Sequence, residues 1–117
     1  MTDRVAELGD SVDVFVAERD WAQFHTPKNL AMSVAIEAAE LMEHFQWSTD
    51  AGSAPLDPAR REQVAQEMGD VLIYLVRLSR VLGIDLVGAA FDKLELNRAK
   101  YPIEKAKGRA TKSVDLE

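Results

Sequence analysis

Between Lys28 and Arg60 the chain carries no lysine or arginine, and from Leu30 to Phe45 every residue except Glu37, Glu40, Glu43 and His44 is apolar or small. Thr26 followed by Pro27 supplies an N-cap and a proline at the first helical position, and no further Pro or Gly interrupts the run to about Gln46. One long helix is therefore predicted there. A helix that is apolar around its whole circumference has to be surrounded by protein. With only a few helices available in 117 residues, a second subunit is the economical source of that cover, and a homo-oligomer is predicted.

The rest of the chain reads as three further helices. Val5, Leu8, Val12, Phe15 and Val16 recur at spacings of three and four, the signature of one helix face on a core, and this first helix is expected to end near Asp20. Residues from Thr49 to Pro58 are rich in Gly, Ser, Pro and Asp, which predicts a loop, and Asp57-Pro58 repeats the cap-and-proline signal for a helix running to about Leu82. Gly83 is its natural stop, Asp85 the cap of a fourth helix, and Pro102, just after Tyr101, its end. No period-two alternation and no Asn-Gly or Asp-Gly hairpin turn occurs, so the predicted class is all-α, a four-helix bundle within one domain over residues 1–103. Residues 104–117 read as a polar, basic, flexible tail.

Composition closes several routes. Without a cysteine there is no disulfide framework, thiolate metal site or cysteine nucleophile. The longest apolar runs, such as Val71 to Val76, fall far short of the roughly 20 residues that cross a bilayer. The N-terminus opens with Asp3 and Glu7 rather than a basic and then apolar leader, so a soluble, cytoplasmic protein with no membrane partner is expected. A net charge of −6 argues against binding a nucleic-acid polymer, which relies on neutralising many phosphates.

The acids of the second and third helices are paired. Glu37 and Glu40, and then Glu67 and Asp70, stand three residues apart, so each helix presents two carboxylates side by side. Surface acids on helices usually have a Lys or Arg three or four residues away. None of these four does: the neighbours at those offsets include Ser33, Val34, Leu41, Gln63, Val64 and Tyr74. On a helical wheel Leu30, Val34 and Leu41 project near Glu37, and Val71 and Leu78 near Glu67, so the carboxylates share a face with core-type residues. Carboxylates withdrawn from water need a counter-charge. It comes either from basic side chains of another helix or from a metal ion.

With oxygen ligands alone the metal is a hard one, Mg2+, for which Mn2+ can substitute. Mg2+ takes one or two protein carboxylates and completes its shell with water and substrate phosphates, so the arrangement anticipates a phosphate-bearing substrate. The competing di-iron carboxylate bundle requires Glu-x-x-His on two helices. Here Ala22 and Leu41 stand three residues before the two histidines.

Lys93, Asn97 and Lys100 follow at i, i+4 and i+7 on the fourth helix, either an ordinary solvated face or, opposite a metal site, a phosphate clamp. Tyr74, one turn beyond Asp70, neighbours the acidic pair or fills half-buried core. Trp21 and Trp47 flank the second helix, as core residues or as faces for base stacking. His25 and His44 read as local hydrogen-bonding groups.

The order Glu37-x-x-Glu40, Glu67-x-x-Asp70, then Lys93, Asn97 and Lys100-Tyr101-Pro102 resembles the all-α nucleoside triphosphate pyrophosphohydrolases of the MazG-like superfamily. Within it, Ala17-Glu18-Arg19-Asp20-Trp21-Ala22-Gln23-Phe24-His25, Pro27, Asn29-Leu30 and Phe45-Gln46-Trp47 are similar to the dCTP pyrophosphatase branch. The chain departs from that branch at Val12, about where a first-helix histidine can stand. The resemblance implies a tetramer or intimate dimer, Mg2+ held by Glu37, Glu40, Glu67 and Asp70, and hydrolysis of a (deoxy)nucleoside triphosphate, dCTP or a modified dCTP, to monophosphate and pyrophosphate. It places Trp21 and Trp47 at the base and Tyr74, Lys93 and Asn97 on sugar and phosphates, and counts His25, Asn29, Lys100 and Tyr101 among the substrate-binding residues. Two rival readings are a pyrophosphohydrolase for another nucleotide and a non-catalytic helical module whose acids meet the basic tail across a subunit interface.

Overall fold

The computed structural model describes residues 3–48 and 56–116, so most of the loop predicted after Thr49 lies outside the described residues. Within them the chain is helical throughout, with no strand. The long helices are α1 (Arg4–Glu18), α2 (Pro27–Glu43), α3 (Pro58–Leu82) and α4 (Leu86–Lys100), followed by a short α5 (Ile103–Ala106); single 3-10 turns occupy Ala22–Phe24 and Ser113–Asp115. None of the helices among the described residues is long and apolar enough to cross a membrane.

The starts of the long helices follow from capping chemistry. The Thr26 hydroxyl accepts the Asn29 N–H at 3.2 Å, Asp57 accepts that of Arg60 at 2.9 Å, and Asp85 that of Gly88 at 3.1 Å, satisfying backbone donors that have no partner within the helix. Asp3 does the same for α1, accepting from Val5 and Ala6. Gly83 closes α3 at φ 66°, ψ 32°, a left-handed conformation that costs glycine little.

Two predicted ends move. The first helix stops at Glu18 rather than near Asp20, because Asp20 turns into the left-handed region at φ 54°. The second stops at Glu43 rather than about Gln46. Phe45 N–H donates to Met42 and Ser48 N–H to Phe45, bonds from i to i−3 that tighten the chain into successive turns after the helix.

The chain divides into two compact units, one ending at Gly83 and one starting at Ile84. In the first, α3 packs against both α1 and α2. Its core is small: Val12 and Val16 from α1, Leu30 from α2, Val64 and Val76 from α3. Polar locks supplement it. The Arg80 guanidinium covers Gly9, where a Cβ would collide with it, and donates to Asp10 at 2.9 Å, Asp13 at 3.2 Å and the Ala6 carbonyl at 2.8 Å. The second unit contains α4, α5 and the final 3-10 turn.

Candidate active site

The packing of α2 on α3 brings the two acidic pairs together. Oxygens of Glu37, Glu67 and Asp70 all lie within 4.8 Å of one another, each on a half-buried side chain. Glu40 adjoins this trio, through charge and a side-chain hydrogen bond with Glu37 and with Glu67. Burial first, then these interactions with the neighbouring acids, push the Glu37 carboxyl up from 4.5 to about 7 and raise that of Glu67. Burial, then the charges of Glu37, Asp70 and Glu40, raise the Tyr74 hydroxyl. Among the described residues of the first unit no lysine or arginine pairs with the cluster; a basic neighbour is His44, whose Nε2 stands 4.0 Å from Glu67.

Buried Oε2 atoms of Glu37 and Glu67 have no hydrogen-bond partner. An orphaned buried carboxylate oxygen is costly and calls for an explanation. A hard divalent cation among three or four oxygens provides one, and the donor set, carboxylates without sulfur or nitrogen, suits Mg2+ or Mn2+.

Beside the cluster opens a cavity of about 390 Å³ between α1, α3 and the segment joining α1 to α2. Asp70, Ile73, Tyr74 and Arg77 line it from one stripe of α3, at i, i+3, i+4 and i+7, so the cavity and the acidic cluster share Asp70. Val12, Phe15 and Val16 form the α1 wall. Trp21 closes the edge: its backbone N–H donates to the Val16 carbonyl at 3.0 Å, and its ring meets Phe15 edge-on with centroids 5.6 Å apart. The left-handed turn at Asp20 makes that reversal possible, and aspartate tolerates such a turn better than most residues. His25 completes the wall.

The predicted site residues thus separate into groups. Glu37, Glu67 and Asp70, with Glu40 adjoining, come together, as do Trp21, His25 and Tyr74 around the cavity. Neither tryptophan is core, Trp21 being 44 % and Trp47 84 % exposed. Trp47 follows α2 and does not line the cavity. Asn29 is exposed, its amide donating to the Phe24 carbonyl at 3.0 Å and bracing the segment that carries His25. Lys93, Asn97 and Lys100 lie along α4 with Tyr101 as its C-cap, all in the second unit. Sequence reading missed Arg77, Asp13 and Ser11; Arg77 had a signal, since it stands seven residues after Asp70 on the same face.

The profile of the MazG-like family matches residues 32–116. The chain belongs to that family. It is 44 % identical over 104 residues to dCTP pyrophosphatase 1 of Rattus norvegicus and 43 % identical to that of Homo sapiens, matches covering 87 % of this chain and 61 % of the relative in each case. The chain therefore matches about three fifths of the length of these curated relatives. A pyrophosphatase crystal structure from Archaeoglobus fulgidus superimposes with a TM-score of 0.76 at 40 % identity, over 87 % of this chain and 95 % of that one.

Proposed function

We propose that this MazG-like chain is a nucleoside triphosphate pyrophosphohydrolase that cleaves the α–β phosphoanhydride of a (deoxy)nucleoside triphosphate, dCTP or a modified dCTP, to monophosphate and pyrophosphate. The observation that carries this reading is the shared wall: a carboxylate cluster with orphaned oxygens abuts an apolar, aromatic-edged cavity through Asp70. One end suits a metal–triphosphate and the other a nucleobase. The names of the relatives support the same reaction.

Glu37, Glu40, Glu67 and Asp70 would hold Mg2+, or Mn2+ in its place. Bound there, such an ion would supply positive charge against the triphosphate and acidify the attacking water. Glu40, beside the trio, would orient water toward the α-phosphorus. Trp21 and His25 contact the base, with Trp47 and Asn29 assigned to the same end of the nucleotide. Tyr74 sits between cavity and acids and meets the sugar. Lys93, Asn97, Lys100 and Tyr101 are assigned to the phosphates, as donors to their oxygens. Residues 1–103 form the working domain in this proposal, 104–117 its tail.

A homo-oligomer, a tetramer in preference to a dimer, belongs to the reading. Met32, Ile36 and Met42 on α2 are each more than half exposed, as is Met68 on α3, and a second copy would cover this apolar area. The proposed location is the cytoplasm, with neither membrane nor nucleic-acid polymer as partner.

Incubation with dCTP and Mg2+ should yield dCMP and pyrophosphate, with activity lost on chelation and in Glu40→Gln. Release of orthophosphate with dCDP would refute the bond assignment. A comparison of catalytic efficiency across common and modified triphosphates identifies the substrate.

A further inference from the structure

His25 enters the cavity wall in a defined protonation geometry. Its Nδ1 accepts a hydrogen bond from Arg77 Nε at 3.2 Å. Arginine has no acceptor and does not lose its proton in proteins, so the bond requires a lone pair on Nδ1 and places the ring hydrogen on Nε2. Arg77 is itself anchored: its Nη1 donates to Asp13 Oδ1 at 2.9 Å, with the guanidinium-bearing side chain only 14 % exposed. Asp13 is held from its other oxygen by Arg80, at 3.2 Å. Among the described residues nothing bonds Nε2 of His25. Burial and the Arg77 charge lower the pKa of the imidazole, keeping it neutral at pH 7.

We propose that Arg77, anchored by Asp13, is a positioning residue that fixes His25 as a one-way Nε2–H donor into the cavity and thereby selects a base edge carrying an unprotonated ring nitrogen. Cytosine N3 receives such a donor. Uracil and thymine place an N–H at the same position, and two donors then face each other. The inference rests on the cavity being the base pocket of the proposed enzyme, but the chemistry of selection does not depend on phosphoanhydride cleavage. Arg77 stands two turns along α3 from Asp70, so it acts through His25 and not on the reacting phosphates.

The test uses the full chain and binding alone. Nitrogen-15 NMR of the His25 ring at pH 7 should show hydrogen on Nε2 and a lone pair on Nδ1. Titration with dCMP and dUMP, in chelator so that no hydrolysis enters, should show dCMP bound about tenfold more tightly. Arg77→Met should abolish that preference and change the ring signature, while Arg77→Lys, which keeps a donor, should restore part of both. Asp13→Asn should weaken both to an intermediate degree. A purely structural Arg77 would instead weaken dCMP and dUMP by the same factor and leave the tautomer as it was, which overturns the proposal. So does a proton on Nδ1, or equal affinity for the two monophosphates, in the wild-type protein, measurements that need no variant to fold. Failure of the proposed reaction has a different signature: no pyrophosphate from dCTP by a protein whose preference for dCMP is intact.

Discussion

The sharpest consequence of the acidic cluster concerns the protein without metal, where Glu37→Gln should raise stability. Gln keeps the shape of the side chain and removes its charge. In the folded state the Glu37 carboxyl is pushed up from 4.5 to about 7, so folding is opposed by its ionisation: the penalty is absent below pH 4.5, grows as pH rises, and is complete above about pH 7. In a dry site that rise corresponds to about 3 kcal/mol. Glu37 is only half-buried and solvent screens it, which reduces the figure to about 1 kcal/mol. For a domain of this size about 1 kcal/mol moves the melting temperature by about 4 °C. Melts at equal protein concentration in chelator should therefore place Glu37→Gln about 4 °C above wild type at pH 8, with the two coinciding at pH 4.5. Saturating Mg2+ at pH 8 should reverse the order, because the wild type gains binding energy that the variant lacks. A variant less stable than wild type in chelator at pH 8, or a gain that persists undiminished at pH 4.5, would refute the reasoning.

Other consequences follow from the same geometry. Mg2+ binding should release about half a proton at pH 7 and weaken as pH falls below 7, since a Glu37 near half-protonation must ionise to ligate; calorimetry in buffers of different ionisation enthalpy measures this, and binding without proton uptake by buffer would count against it. Leu30→Ala removes the most completely buried side chain, 1 % exposed at the start of α2, and should cost about 3 kcal/mol in denaturant unfolding. Ile36→Glu places a charge on the exposed apolar side of α2 and should shift light-scattering mass toward the monomer. An unchanged mass would remove α2 from the proposed subunit contact.

The helices were legible because their ends are chemical. Thr26, Asp57, Asp85 and Gly83 each do at the backbone what their side chains, or the lack of one, permit. The last turns were harder, since the apolar run through Phe45 continues past Glu43 while the backbone tightens to i−3 bonding, a change that side-chain pattern does not encode. The acids were legible for a different reason. Spacing put Glu37 beside Glu40 and Glu67 beside Asp70, and the lack of neighbouring cations excluded local neutralisation; which three oxygens converge depends on how α2 meets α3, which no single helix contains. For the tryptophans the sequence left core packing and base stacking both open, because large aromatic rings usually bury; the structure puts Trp21 at a cavity edge and leaves Trp47 exposed.

Arg77 shows where local reading stops. Its spacing from Asp70 puts it on the acidic face, but between Val76 and Leu78 it reads as a solvated residue, and its anchoring needs Asp13 of α1, 64 positions away in sequence. The same α3 stripe then carries two contrasting solutions. At Arg77 and Arg80 charge is neutralised by Asp13 and Asp10 in direct ion pairs, which fix side chains and hold α1 on α3. Seven residues earlier, roughly 10 Å along the helix, Asp70 stands with Glu37 and Glu67, and among the described residues of the first unit no lysine or arginine pairs with them. Had the cluster served only to join α2 and α3, a basic residue facing it from a neighbouring helix would have relieved it, as Arg77 and Arg80 of α3 do for the acids of α1. The omission of such a partner where the cluster meets the cavity, at Asp70, supports the proposal that a bound cation supplies the positive charge.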